Sequence, residues 1–413
     1  MFQSRTQLSR TQRSRTQWSR TQRSRARRRH ALVVSALAAL TGLVVTTAPS
    51  ASAEHGTGTG TGTGTAKSSA VVRKGLDGLV RDDGFPAALA SVRDSDGRTT
   101  NYTAGVGDLR TGSKVPVDGQ VRIASATKMF TSTVVLQLAG EGKVGLDAPI
   151  ETYLPGLVRG DGIDGRVITV RQLLQHTSGL PNYTAGMGEF SQWRHTYVEA
   201  RDLLDMALKE KASFAPGDGW EYSNTNYVVA GLIVQKVTGR PVGEEITHRV
   251  IERAGLRHTY WPATGDQTIR EPHPHGYASD TPGGPVVDAT EIDPSWAGAA
   301  GQLIARPSDI NRFLTALMDG RLLKPEQLKQ MRTTVVANGL PAGWRYGLGL
   351  MEMPLSCGGV VWGHGGDSEG YENRNAVTED GRAATVAVTA LPADMASAEH
   401  VNAVLDTALC AGD

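Results

Sequence analysis

The sequence predicts an α+β fold in which one antiparallel sheet is assembled from both ends of the chain, flanked by helices, with a mostly helical region inserted between them. Two observations carry this. Short apolar runs separated by turn residues cluster near residues 87–104 and again near 359–391, and the long stretch between them shows helical spacing punctuated by Gly and Pro. A third observation frames them, because helical spacing also appears just outside the strands, at 71–80 and 395–409.

In chain order, Val71 to Val80 places its apolar residues on one helical face. Ala87 to Val92, the turn pair Asp96-Gly97 and Thr99 to Ala104 read as a hairpin. Helices are expected at Thr127–Ala139, Val170–His176, Val198–Lys211, Tyr227–Val237, Gly243–Ala254, Ile310–Met318 and Lys324–Met331. Strands are expected at Gly359–Trp362, Arg374–Val377 and Arg382–Leu391, the last two joined by Thr378-Glu379-Asp380-Gly381, and Met395–Leu409 forms a closing helix. The sheet part thus covers about residues 68–125 and 340–413 and the helical insert about 126–339. A functional site belongs in the seam, where loops from both parts converge on rigid elements.

The 413 residues suffice for a large core. The formal charge of +1 is misleading: residues 1–30 hold ten arginines and no acid, and without that head the formal charge of residues 54–413 is −9. Such a body has no electrostatic affinity for nucleic acid or an anionic membrane surface. The basic head, in which Ser-Arg-Thr-Gln recurs at a five-residue spacing, precedes an apolar run from Ala31 to Val45 and the small-residue site Ala51-Ser52-Ala53. This is the pattern of a signal peptide over residues 1–53 and predicts a secreted protein. The fifteen residues of this run, at about 1.5 Å each, fall short of a bilayer core of roughly 30 Å, so no stable membrane span is expected. Residues 54–67, which include a Gly-Thr alternation, read as a flexible linker, with the folded domain at 68–413. The two cysteines, Cys357 and Cys410, suit either a disulfide or two free thiols, and their spacing offers no metal site.

Three motifs carry chemistry. In Ser125-Ala126-Thr127-Lys128 the serine opens a helix and the lysine three positions on shares its face, so an amine freed of its proton by burial can activate the hydroxyl. Tyr222-Ser223-Asn224 supplies a phenol able to pass a proton to a leaving group and an amide able to orient Lys128 and a carbonyl. Trp362-Gly363-His364-Gly365-Gly366 ends an apolar strand; its glycines admit a substrate backbone, and His364 can offer a donor or a positive charge to an oxyanion. Tyr371-Glu372-Asn373 also fits Tyr-x-Asn but lies in strand sequence too close to the third motif to form a separate wall.

In this order, Ser125-x-x-Lys128, Tyr222-x-Asn224 and His364-x-Gly366 resemble the signature of serine DD-peptidases and class C type β-lactamases. Similar supporting stretches are Leu173 to Pro181, Trp296 to Phe313 with Ala300-Gly301-Gln302-Leu303, and Tyr346-Gly347-Leu348-Gly349-Leu350, so the likeness runs from about residue 70 to 410. Within the family it is most similar to secreted actinobacterial D-alanyl-D-alanine carboxypeptidases. The resemblance implies a β-lactamase/DD-peptidase-like fold and a serine hydrolase that becomes acylated on Ser125 by a small peptide, ester or β-lactam. Lys128 and Tyr222 would move protons, Asn224 would position, and His364 would line the strand wall. Trp296, Gly365, Gly366 and Asp367 would contact substrate, with the Ser125 and Asp367 N–H groups as oxyanion hole. It also implies a Cys357–Cys410 disulfide, no cofactor or metal, and a monomer. The sequence departs from the carboxypeptidase pattern where that family binds a terminal carboxylate: Gly365 stands in place of a threonine and Met351, followed by Glu352, in place of an arginine, while Asp367 and Glu369 add acid. A preference for neutral or cationic acyl substrates, such as peptides with free amines, is therefore expected.

Other readings are a D-amino-acid amidase, an aminopeptidase or an esterase of the same fold, or a non-catalytic cell-wall binding module. Gly366-Asp367-Ser368-Glu369-Gly370 also fits a nucleophile elbow, with Asp394 and His400 downstream, but only 45 residues follow Ser368. Pro272-His273-Pro274-His275 reads as a surface loop and His176 as a hydrogen-bonded structural residue.

Overall fold

The structure, a computed structural model, describes residues 63–280 and 285–411. The expected signal peptide and the linker up to residue 62 lie outside the described residues. The first helix among the described residues, Thr63–Arg81, begins within the expected linker. Val72, Leu76 and Leu79 bury one face of this helix against the sheet, and once a packed helix is nucleated each added residue costs little, so it extends back into the threonine-rich stretch.

One 10-stranded sheet dominates. From edge to edge its order is Val335–Val336, Arg345–Tyr346, Met351–Pro354, Val360–Gly363, Tyr371–Val377, Ala383–Val388, Ala87–Arg93, Thr99–Asp108 and Ser113–Lys114, with Gly366–Ser368 paired to one end of Tyr371–Val377. Every pairing is antiparallel, and the two chain ends meet at its centre, where Ala90 lies opposite Val386. Three edge strands, Val335–Val336, Arg345–Tyr346 and Met351–Pro354, were not among the expected strands, and the first falls inside the stretch expected to be helical. At two to four residues each, among glycines and prolines, they are too short to show alternation.

One sheet face is covered by Thr63–Arg81 and Met395–Cys410, which bury Val386, Val388, Val401 and Leu405 between them. The other carries Pro307–Met318, whose Asn311 donates to the Ser91 carbonyl (2.9 Å) and accepts from Thr385 (2.8 Å), fixing helix to strands through polar contacts in an apolar layer. Beyond it lies the helical region. Helix Thr127–Gly140 is buried on nearly every side, with Phe130 stacked on Phe313 at 3.9 Å between centroids. A helix enclosed all round belongs at the centre of a large core, and its polar side chains, Lys128, Thr131 and Gln137 among them, find partners there.

The helix expected from Tyr227 begins three residues earlier and spans Asn224–Thr238. Its first N–H is received by the side chain of Asn182 (3.2 Å), a tertiary cap that local sequence does not display. The expected helix Val198–Lys211 is confined to Ala200–Ala207, and Gly243–Ala254 contains a π turn at Thr247–Ile251. Among the described residues no helix is long and apolar enough to cross a membrane. Cys357 and Cys410 form a disulfide that joins the turn before Val360–Gly363 to the last helix.

Candidate active site

Ser125 lies in a single 3-10 turn, Ala124–Ala126, that runs directly into helix Thr127–Gly140. Ala124 has φ 44, a left-handed conformation costing a side-chain-bearing residue of order 1–3 kcal/mol. The turn is held on both sides by Leu303: the Ile123 N–H donates to its carbonyl (3.1 Å), and its own N–H donates to Thr127 Oγ1 (3.1 Å).

Lys128 is wholly buried, with Nζ 2.9 Å from Ser125 Oγ, 2.7 Å from Asn224 Oδ1 and 2.8 Å from the Ala300 carbonyl. As an ammonium it would donate to all three. As an amine it keeps two donors for the two carbonyl-type oxygens, and its lone pair faces the Ser125 hydroxyl. Burial drives its pKa well below the 10.5 of a free lysine, with Asp367 opposing, so the amine is the accessible form.

Tyr222 stacks on His176 at 4.4 Å, and its ring lies 4.9 Å from Lys128 Nζ. Loss of solvent pushes its phenol well above 10, partly offset by a hydrogen bond with Ser125, so Tyr222 keeps its proton where Lys128 gives its own up. The two groups beside the serine are thus poised in opposite senses, an amine that accepts and a phenol that donates.

The third motif forms the opposite wall. A Cβ added at Gly366 would lie 2.1 Å from the Ile123 carbonyl, so only glycine lets this strand come so close to the nucleophile turn. Asn373 clips the two together, donating to the Ile123 carbonyl (3.0 Å) and the Gly366 carbonyl (3.1 Å). The second Tyr-x-Asn pattern therefore supplies a brace between nucleophile and strand. Of the two roles expected for His364, a donor or a positive charge, its surroundings disfavour the charge. It is buried, Nδ1 is 2.6 Å from the Gly365 carbonyl, Nε2 is 2.9 Å from the Tyr346 hydroxyl, and burial beside Lys128 lowers its pKa to about 3. It is a neutral ring with both nitrogens engaged.

Arg374 was not foreseen. Its guanidinium lies 3.0 Å from where a Cβ of Gly365 would stand, and it contacts Asp367 (2.7 Å) and the buried Glu372 (2.9 Å). A cation therefore occupies the space left by the missing side chain at Gly365, paired with the Asp367 carboxylate, whose side chain is 56% exposed, and contacted by Glu372. Burial raises Glu372 to about 8. Met351 packs in the sheet core with Tyr346 and Val361, and Glu352 accepts from Thr334 (3.2 Å), so neither presents a cation. Trp296 joins Trp193 (4.9 Å) and Phe190 in an aromatic cluster, on the same segment that carries Ala300.

The elbow-like residues do not converge. Ser368 is a buried strand residue, while His400 contacts Asp83 (2.8 Å) and Asp394 caps the last helix. His275 is occupied by Asp288 (2.6 Å).

Comparison with known proteins matches the Beta-lactamase family over residues 70–408. The chain belongs to this family. Like its neighbours in that β-lactamase fold, it is a serine hydrolase. A D-stereospecific amidohydrolase from Streptomyces sp. is similar at 39% identity and a TM-score of 0.75, covering 83% of this chain and 98% of its own. The D-amino acid amidase from Ochrobactrum anthropi SV3, complexed with L-phenylalanine amide, is 28% identical with a TM-score of 0.75, covering 84% and 98%. Penicillin-binding protein 4* of Bacillus subtilis (strain 168) is 26% identical over 66% of this chain, and the match spans 60% of that longer relative.

Proposed function

We propose that this β-lactamase-family hydrolase is an exported D-stereospecific amidohydrolase that forms an acyl-enzyme on Ser125 from amides carrying a free α-ammonium group. The observation that carries this reading is the Asp367–Arg374–Glu372 cluster: the cation beside Gly365 is paired with the Asp367 carboxylate and contacted by Glu372, and the exposed group along the strand is the acid Asp367. A substrate carboxylate meets competition there, whereas an ammonium is attracted. The likeness to the Streptomyces amidohydrolase and the Ochrobactrum amidase supports the same class.

In this reading the Lys128 amine takes the Ser125 proton as Oγ attacks the carbonyl carbon. The tetrahedral oxyanion is met by the Ser125 and Asp367 N–H groups, and Tyr222 hands a proton to the departing nitrogen as the C–N bond breaks. Water then adds to the acyl ester with the same groups acting in reverse, releasing the acid and restoring Ser125. Asn224 holds Lys128 in place, and Trp296 walls the acyl side chain.

The test compares D-phenylalanine amide with its L enantiomer, its N-acetyl derivative and a D-Ala-D-Ala peptide, with Ser125→Ala as blank. The D-amide with a free amine should be turned over fastest, and acetylation should lower kcat/KM about tenfold or more. Equal or better turnover of the D-Ala-D-Ala peptide than of its C-terminal amide would overturn the reading in favour of a carboxypeptidase. Export is tested by N-terminal sequencing of protein from culture medium, with cleavage expected after Ala53.

A further inference from the structure

Three buried rings stand idle in the chemistry above. His176, Tyr346 and His364 form a line beneath the cleft, and the two supporting stretches noted in the sequence, Leu173 to Pro181 and Tyr346 to Leu350, contribute one ring each. His176 Nδ1 is 3.2 Å from the Ser223 backbone N and 3.1 Å from Asn226 Nδ2, and its Nε2 is 3.2 Å from the Tyr346 hydroxyl. That hydroxyl is 2.9 Å from His364 Nε2, and His364 Nδ1 is 2.6 Å from the Gly365 carbonyl.

The two ends of this line cannot flip. A backbone N–H can only donate, so Ser223 makes His176 Nδ1 an acceptor and leaves the ring proton on Nε2. A backbone carbonyl can only accept, so the Gly365 carbonyl requires the proton of His364 on Nδ1 and leaves Nε2 as acceptor. Tyr346 has one proton, and both constraints send it the same way: it accepts from His176 and donates to His364. Asn226 agrees, since its Oδ1 accepts from Ser178 (2.5 Å) and its NH₂ is thereby turned toward His176.

We propose that His176 and Tyr346 are positioning residues: with His364 they form a one-way hydrogen-bond chain that ties the backbone of the second motif, at Ser223, to the backbone of the third, at Gly365, and thereby sets the spacing of the two cleft walls across Ser125. The chain also keeps both imidazoles neutral, because a second ring proton on either would face a donor. Two neutral rings spare Lys128 two adjacent positive charges. The charged and titratable groups around the pair are Lys128, Tyr222, Tyr227, Tyr346 and, toward His364, Arg374.

The inference rests on the cleft being the reaction site but not on its substrate, and the first measurement needs no substrate. Long-range ¹H–¹⁵N spectra of the whole domain at neutral pH should show His176 as the Nε2–H tautomer and His364 as the Nδ1–H tautomer. Either ring in the opposite tautomer, or protonated, overturns the proposal, and this measurement on the parent protein decides even if a variant fails to fold. The second uses Tyr346→Phe, which keeps the ring and removes the link. For the best amide substrate, kcat should fall about tenfold or more with KM changing less, as expected for misplaced walls. The acid limb of the pH profile should move up, because His364 Nε2 loses its donor and takes a proton more readily. A Tyr346→Phe profile that superimposes on the parent in both height and pH overturns the proposal.

Discussion

The two walls of the cleft hold their reacting atoms by different means. On the helix wall, side chains do the work: Ser125, Lys128, Tyr222 and Asn224 are fixed by one another and by the buried Ala300 carbonyl. On the strand wall the backbone does it, with Gly365 and Gly366 allowing close approach while Asn373, Arg374 and His364 brace the strand from behind. In the proposed reaction, chemistry resides on the wall whose side chains converge on a single oxygen. The strand wall, where a side chain can be traded for space, is then free to set specificity.

The largest effects should come from the helix wall. Ser125→Ala is expected to abolish acylation, read by mass spectrometry after exposure to a slowly turned-over amide or a penicillin. Lys128→Met, which fills the same space without a lone pair, should lower kcat/KM by about 10²- to 10⁴-fold and lower the melting temperature modestly, since Asn224 Oδ1 and the Ala300 carbonyl lose their buried donor. With the parent enzyme, kcat/KM should rise with pH as Lys128 sheds its proton, with a midpoint well below 10.5. A midpoint near the free-lysine value would show that burial does not free the Lys128 amine at neutral pH.

Effects on the strand wall should be smaller and of another kind. Gly366→Ala drives a methyl into the Ile123 carbonyl, a backbone atom that cannot rotate away, and should cost about 1–3 kcal/mol in unfolding experiments along with activity. Gly365→Thr meets only the flexible end of Arg374, so stability should hold. Its effect should appear as specificity, the guanidinium being displaced from Asp367 and the ratio of carboxylate to amide turnover rising about tenfold. If Gly365→Thr instead reduces all substrates equally, the division between the walls fails. Away from both walls, the exposed pair His400–Asp83 raises the histidine's pKa above 6.5, so its small stabilising contribution is present at lower pH and lost as pH rises through the raised value. Parent and His400→Ala melting temperatures should differ slightly near pH 6 and converge above about pH 8.

The helix wall was legible in the sequence because its logic is local: serine and lysine three apart share a helical face whatever surrounds them. The third partner of Lys128 was not, since Ala300 contributes only a carbonyl and lies 172 residues away. Arg374 escaped notice because Tyr-Glu-Asn-Arg-Asn reads as a strand with polar faces exposed, yet Glu372, Asn373 and Asn375 are all buried. Their partners are Arg374 for Glu372, Ile123 for Asn373 and His364 for Asn375, and no local pattern shows that a polar strand will be enclosed in this way. The same holds for His364, whose sequence context left open a donor or a charge but whose burial between Tyr346 and Gly365 makes it neutral. Of the fold, the central strands and both terminal helices could be read from their apolar spacing, whereas the two- to four-residue edge strands could not.

The meeting of the chain ends at the middle of the sheet has a consequence for biogenesis. Ala87–Arg93 pairs on one side with the nearby Thr99–Asp108, but its other edge finds its partner in Ala383–Val388, so a chain emerging amino end first must wait for nearly its whole length before the central pairing can close. Until then one edge of the first hairpin has no strand to pair with. Partly synthesised chains are left without a finished sheet, and the enzyme acquires its cleft at the final step of assembly.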